Sequence, residues 1–303
     1  MRGFKNSYDR KKIETILKNN NIDDDIKNIE YLNLNKIIVY FKSNKHILKI
    51  FCDNSSVKLG ENEYEGYNFI NSNYQKFSLP KYECILNKEN LFISKIEYLG
   101  EKKGNYFDSR NYLNLDYDQI VNNIDAKLYG EKILDKFSNS LNILKINEIK
   151  NHINEFLNLN GNLKMHIDSS HGDFVHWNTR FIDNTYYCFD LEHFSKDRVL
   201  FYDLIHWYFI PLLQKKYFFR VNSISTFIFK RLCGYLRKNI SKRYNIRNLE
   251  NFNFSIFFYL IEKKLYYLKM LSDEKLVESM TKKYLNQATF LNNEMNKLLS
   301  ISK

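Results

Sequence analysis

The sequence predicts an α+β chain in two lobes, a small antiparallel sheet followed by a larger, mainly helical body. Three observations predict it. Runs rich in β-branched and aromatic residues, Ile29 to Leu34, Ile37 to Phe41 and His46 to Cys52, succeed one another across Asn/Lys/Ser breaks, as the strands of an antiparallel meander do. Beyond residue 100 the apolar spacing lengthens from two residues to about 3.6, the helical repeat. Between these regions Glu97 to Gly104 interrupts the pattern with two of the nine glycines, and the boundary falls there. The lobes are residues 1–99 and 100–303.

Taken in order, residues 8 to 19 carry helical spacing at Ile13, Ile16 and Leu17, and the three strands follow. Glu61 to Ser72 is a helix-length segment with Tyr64, Tyr67 and Ile70 or Asn71 along one side, closed before Pro80. Tyr82 to Leu86 and Leu91 to Ile96 are strands again. Tyr117 to Ser138 and Ile143 to Asn158 are expected helices. In the tail, Phe254, Phe257, Phe258, Ile261, Leu265 and Leu268 form one helical stripe and the series from Val277 to Leu298 a second. Such stripes bury apolar area, so both are assigned to the core.

Bulk properties narrow the function classes. A chain of 303 residues with 44% hydrophobic and 16% aromatic content packs a core, which excludes wholesale disorder. Leu204 to Gln214 and Asn251 to Ile261 are uncharged runs too short to span a bilayer. Met1 to Asn6 leads into charged residues rather than an apolar signal segment, so a soluble, cytoplasmic protein is expected. Cys52, Cys84, Cys188 and Cys233 lie far apart without Cys-x-x-Cys spacing, which argues against a zinc site or disulfide framework. The net charge of +11 accompanies a composition rich in Lys, Asn and Ile with only Ala126 and Ala288 as alanines. It is read as partly compositional, and otherwise as favouring an anionic substrate or membrane surface.

The chemistry concentrates in His171-Gly172-Asp173-Phe174-Val175-His176-Trp177-Asn178, followed by Phe189-Asp190-Leu191-Glu192. An Asp five residues before an Asn on a short loop can face an acceptor hydroxyl while the Asn faces a metal. Thr179 to Ile182 and Thr185 to Phe189 flank Asp183-Asn184, a break suited to a tight hairpin that returns Asp190 toward Asn178. Two oxygen ligands then converge on one hard cation such as Mg²⁺. His166, His171 and His176 have no accompanying Cys and do not line one helix face, so no metal cluster is assigned to them. His171 is expected to fix the loop by hydrogen bonding.

With Asp173, Asn178, Asp190-Leu191-Glu192 and Tyr202-Asp203-Leu204 in this order, the chain resembles the aminoglycoside phosphotransferase and choline kinase family of the protein-kinase-like fold. The motif cluster covers residues 170–205, and the order of expected elements extends the likeness over most of the chain. The segment from Trp177 to Asn178 with Asp203 to His206 is also similar to phosphotransferases of bacterial surface-polysaccharide gene clusters. The resemblance implies an ATP-dependent kinase for a small-molecule hydroxyl, with residues 1–99 as the nucleotide-binding lobe and 100–303 as the catalytic and substrate lobe. Asp173 would be the catalytic base, supported by His171, with Asn178 and Asp190 on Mg²⁺ and Asp203 bracing the loop. Glu192 would touch the metal through water or cap local backbone. Asp-Leu-Glu in place of Asp-Phe-Gly, with no Ala-Pro-Glu after it, favours a small-molecule over a protein kinase.

In the first lobe, Ile47-Leu48-Lys49-Ile50 is a buried-strand pattern holding one cation, and an unpaired buried ammonium is costly. Lys49 is therefore the candidate contact to the α- and β-phosphates, with Glu63 as partner and Glu65 as rival. Phe92 to Leu99 resembles the hinge, where backbone groups around Glu97 and Leu99 would hold adenine. The first strands contain no glycine, so a Gly-rich phosphate loop is missing, and Asn33 to Asn35 or their neighbours would cover the phosphates. That departure leaves a second reading, a catalytically weak, pseudokinase-like module that binds nucleotide or a partner. The basic run from Lys230 to Arg247 reads first as a solvated helix face, then as a contact for an anionic lipid-linked saccharide or a membrane surface. Nucleic acid ranks last, for want of a reading module.

Overall fold

A computed structural model describes residues 9–32, 36–73, 78–100, 122–161, 163–183, 185–214 and 249–272, together with 231, 233–235, 238 and 293. The second tail stripe, Asn33 to Asn35 and most of the basic run lie outside the described residues. The chain forms two compact units. One takes its described residues from Met1–Leu115 and His171–Ser195, the other from Asp116–Ser170 and Lys196–Lys303. The motif-bearing segment His171–Ser195, placed with the second lobe on sequence grounds, thus packs with the amino-terminal sheet.

In the first unit, α1 (Arg10–Asn19) starts at Asp9, whose carboxylate accepts a hydrogen bond from the Lys12 amide, an N-cap arrangement. Strands β1 (Ile26–Leu32), β2 (Lys36–Phe41), β3 (His46–Phe51), β4 (Tyr82–Lys88) and β5 (Leu91–Glu97) make a five-stranded sheet in the order β1-β2-β3-β5-β4, antiparallel throughout. The period of two sorts their side chains. Ile37, Val39, Leu48, Ile50 and Ile93 pack against Ile13 and Leu17 of α1. The opposite face presents Phe51 and Phe92 to Val57 of α2 (Asn54–Asn73).

Helix α2 starts at Asn54 rather than Glu61 because Asp53 caps it, accepting from the Ser56 amide at 2.7 Å. Two glycines let α2 come close on both sides. A Cβ at Gly60 would lie 2.5 Å from the Phe92 ring, and one at Gly66 would lie 2.9 Å from Phe194 Cβ and 3.1 Å from Leu191 Cβ.

The second unit opens with β6 (Asn122–Asp125), which pairs with β7 (Lys164–Ser170). Of the helix expected over Tyr117 to Ser138, residues 122–125 are strand and the helix runs from Ala126, while 117–121 lie outside the described residues. Ile124 lies opposite Met165 in the sheet, and Asp125 ends the strand by capping α3 (Ala126–Ser138) through the Lys127 amide. Helix α4 (Ile143–Asn160) follows, and β10 (Ser195–Val199) completes the sheet in the order β10-β7-β6. Helix α5 (Tyr202–Gln214) and helix α6 (Leu249–Leu271) supply much of the core, where Phe257 stacks on Phe156 with ring centroids 3.9 Å apart. Buried in this unit, Arg198 bonds Glu262 at 3.0 Å and Ser170 Oγ at 3.1 Å and lies 4.3 Å over the Tyr202 ring. No helix among the described residues is long and apolar enough to cross a membrane.

Two stability outcomes follow from this packing. Gly66→Ala should destabilise the protein by about 1–3 kcal/mol in urea melts, despite alanine's higher helix propensity, because the added methyl meets main-chain-proximal atoms of Leu191 and Phe194. Glu262→Leu should cost about 3–5 kcal/mol by the same measurement, since it strands the buried Arg198 guanidinium.

Candidate active site

Lys49 lies on the face of β3 opposite Leu48 and Ile50, and only 6% of it is exposed. An ammonium there needs anionic partners, and three arrive from two separate segments. Its Nζ lies 2.7 Å from Glu63, 2.6 Å from Asp190 and 3.2 Å from Glu192. Glu63 is presented by α2 and fully buried, whereas Glu65 is exposed. One turn on, Tyr67 stacks on Tyr82 with centroids 4.2 Å apart.

The acids from the motif segment are set by local backbone geometry. Gly172 takes a φ of 83°, a conformation that glycine adopts without strain. The buried His171 ring meets the Phe189 carbonyl at 2.9 Å through Nε2, and the Asp173 amide points at its Nδ1. The Asn178 carboxamide donates to the Asp173 carbonyl at 2.9 Å and to the Asp173 carboxylate at 3.1 Å. Its oxygen is thereby left as the acceptor end. Strands β8 (Thr179–Ile182) and β9 (Thr185–Cys188) form the hairpin, with Ile182 paired to Thr185. Beyond it the Phe189 amide donates to the Asn178 carbonyl, so Asn178 and the residue preceding Asp190 are hydrogen-bonded neighbours.

Asp190 itself is left-handed, at φ 67° and ψ 55°, a conformation that Asp tolerates better than most residues. The 3₁₀ turn Leu191–His193 then carries Glu192 back toward the sheet. There Glu192 also bonds Lys36 at 2.6 Å. Asn62 of α2 pins this turn, donating to the carbonyls of Glu192 at 2.7 Å and Phe194 at 2.9 Å.

These contacts set the protonation states. Burial alone would lower the Lys49 pKa, but Asp190, Glu63 and Glu192 raise it well above the ordinary value. Burial would raise Asp190, but Lys49 and Lys36 hold it below the usual carboxylate range. For Glu63, burial is the largest influence and Glu192 and Asp190 add to it, so its pKa rises despite Lys49. Glu192 is raised as well, chiefly by burial.

Carboxylate oxygens of Glu63, Asp190 and Glu192 all lie within 4.8 Å of one another, and the cation among them is the Lys49 ammonium. A divalent hard cation fits beside this cluster on chemical grounds. The ionised Asp190 and the Asn178 carboxamide offer oxygen ligands of the kind Mg²⁺ takes.

The same sheet face borders a cleft of about 250 Å³, lined among others by Lys36, Ile47, Lys49, Ile96, Leu99 and Asp190. At its edge the Glu97 amide donates to the Lys81 carbonyl and the Tyr98 amide to the Lys45 carbonyl. The chain then leaves the sheet, and Glu97 and Leu99 both line the cleft. Asp203 belongs to the other unit, in the first turn of α5.

No family model matches the sequence, and neither does any curated protein. Solved structures do match. The ADP-bound aminoglycoside phosphotransferase APH(2'')-Ib is 16% identical, with 95% of this chain and 99% of that chain covered and a TM-score of 0.52. The GDP and kanamycin complex of APH(2'')-IIIa is 11% identical, covering 93% and 98% at a TM-score of 0.57. Choline kinase LicA from Streptococcus pneumoniae is 12% identical, covering 93% and 99% at 0.55. The fold is the protein-kinase-like one of small-molecule kinases. Within this kinase-like fold, the likeness spans both units and is not confined to residues 170–205.

Sequence reasoning overlooked Lys36 and Asn62. The signal for Lys36 was present, because the β2–β3 register places it on the Lys49 face. Asn62 gave no signal, being one of many asparagines.

Glu63 also gives the stability a pH dependence. Its pKa moves from the ordinary 4.5 to about 7 in the folded protein. Glu63 therefore takes up a proton on folding between these values and releases it on unfolding, so its contribution to stability is fully present below 4.5 and is lost as pH rises toward 7. Urea unfolding from pH 4.5 to 7 should show this fall, at most about 1.4 kcal/mol per pH unit for one proton. Glu63→Gln should make it shallower.

Proposed function

We propose that this protein transfers the γ-phosphoryl group of ATP to a hydroxyl of a small metabolite, such as a sugar, an amino alcohol or a saccharide precursor. One observation carries the reading. Lys49 joins Glu63 on α2 to Asp190 beyond the β8–β9 hairpin, while Asp173 is hydrogen-bonded to Asn178. Phosphoryl transfer asks mainly for positioning and charge neutralisation, and these are the groups it uses. The folds compared above support the reading, since their named members are kinases of small molecules.

Each residue has a part in this scheme. Backbone groups of Glu97 and Leu99 hold the adenine, and Lys49, steadied by Glu63, contacts the α- and β-phosphates. Asp173 accepts the proton of the acceptor hydroxyl as its oxygen attacks the γ-phosphorus, and ADP leaves. His171 and Asn178 fix the Asp173 loop. Mg²⁺, when bound, would sit on Asp190 and the Asn178 carboxamide oxygen and neutralise charge on the phosphates.

A second reading, a nucleotide-binding module with little turnover, draws on the glycine-free β1–β2 region. Nucleotide turnover against a metabolite panel separates the two. Asp173→Ala should lower kcat by roughly 10²–10⁴ while leaving Mg²⁺·ATP binding in place, and Asp190→Ala should abolish turnover and weaken Mg²⁺·ATP binding. Turnover indifferent to both substitutions would defeat the kinase reading. Binding of Mg²⁺·ATP without product from any acceptor would favour the module.

A further inference from the structure

The β2–β3 register sets Lys36 opposite Phe51 and Ile38 opposite Lys49. Lys36 and Lys49 are therefore diagonal neighbours on one face of the sheet, a spacing that long side chains can bridge. Both line the same cleft. Both also reach the same atom, Glu192 Oε1, at 2.6 Å from Lys36 and 3.2 Å from Lys49. A lysine near a strand end ordinarily extends its ammonium into water. This one turns inward, and only 15% of its side chain is exposed.

The sequence suggests why a second cation belongs here. No glycine occurs between Gly3 and Gly60. A Gly-rich loop works by letting backbone amides approach the phosphates closely, and side chains bearing a Cβ prevent that approach. An ammonium on a four-carbon stem supplies positive charge from a greater distance. It also needs somewhere to rest when no phosphate is present, and Glu192 is such a place.

We infer that Lys36 is a phosphate-contacting residue, held by Glu192 in the free protein and transferred to the polyphosphate of the incoming nucleotide. The inference rests on the kinase reading and adds to it the source of the charge that a glycine loop would have organised. Glu192 is then the acid that keeps the two ammoniums in place before the phosphates arrive. The exchange involves ion pairs only, and no covalent bond changes.

Calorimetric titration of the full chain with adenosine and with Mg²⁺·ATP provides the test. Lys36→Met should weaken Mg²⁺·ATP binding about tenfold, the worth of one charge-assisted hydrogen bond, and leave adenosine affinity unchanged. Lys36→Arg should restore most of the loss. Should Lys36→Met fail to fold by circular dichroism, Lys36→Gln repeats the comparison while keeping a polar contact to Glu192. Unchanged Mg²⁺·ATP affinity in the variant overturns the inference while the nucleotide site stands. Equal losses for adenosine and Mg²⁺·ATP also overturn it, by showing a structural role. Wild-type protein that binds neither ligand overturns the kinase reading and this inference with it.

Discussion

The first unit is organised around one buried ammonium. Lys49 is almost wholly removed from water, and the desolvation of such a group amounts to several kcal/mol unless anions surround it. The anions come from two distant places in the sequence, residue 63 and residues 190 and 192, so satisfying one cation ties the sheet to α2 and to the motif segment. Other features follow from this constraint. Gly60 and Gly66 let α2 lie close enough to deliver Glu63, Asn62 fastens the turn that delivers Glu192, and Asp190 adopts a left-handed backbone where the chain turns into it.

The second unit solves the same electrostatic problem differently. Arg198 is also buried and paired, with Glu262, but its remaining donors and its flat face are used by Ser170 and Tyr202. Each nitrogen of its planar guanidinium meets a fixed partner, as a structural ion pair requires. Lys49, by contrast, borders a cleft together with Asp190 and Lys36. Burial with a charge partner therefore does not by itself mark a functional site. The open side of the cluster makes the difference.

What was legible in the sequence divides along physical lines. The strands of the first sheet were readable as short runs of β-branched and aromatic residues between polar breaks, and Lys49 stood out as a cation inside the apolar run Ile47 to Ile50. Glu63 and its rival Glu65 were both legible as partners of Lys49, and the ion pair lies at Glu63. The hairpin at Asp183 was visible in its turn residues. Less legible was anything decided by a distant partner. Asn122–Asp125 has no strong strand propensity and is a strand because β7 pairs with it. The start of α2 was hidden because its cap, Asp53, lies in a polar run that reads equally well as a loop. That His171–Ser195 packs with the first sheet is a tertiary fact that no local pattern encodes.

The count of charges explains why this cluster suits a site that admits cations. Lys36 and Lys49 face Glu63, Asp190 and Glu192, which leaves one carboxylate in excess when all five groups are ionised. A protein without a ligand relieves such an excess by holding a proton, which is the direction in which Glu63 and Glu192 are shifted. On the proposed reading, the phosphates draw the lysines off Glu192 and add negative charge of their own, so the loaded site needs the divalent cation that accompanies the nucleotide. Acid excess in the free state and cation demand in the loaded state are then two expressions of one imbalance. A cluster without an acid excess, like that of Arg198, Lys136 and Glu262, would have no such reason to bind one.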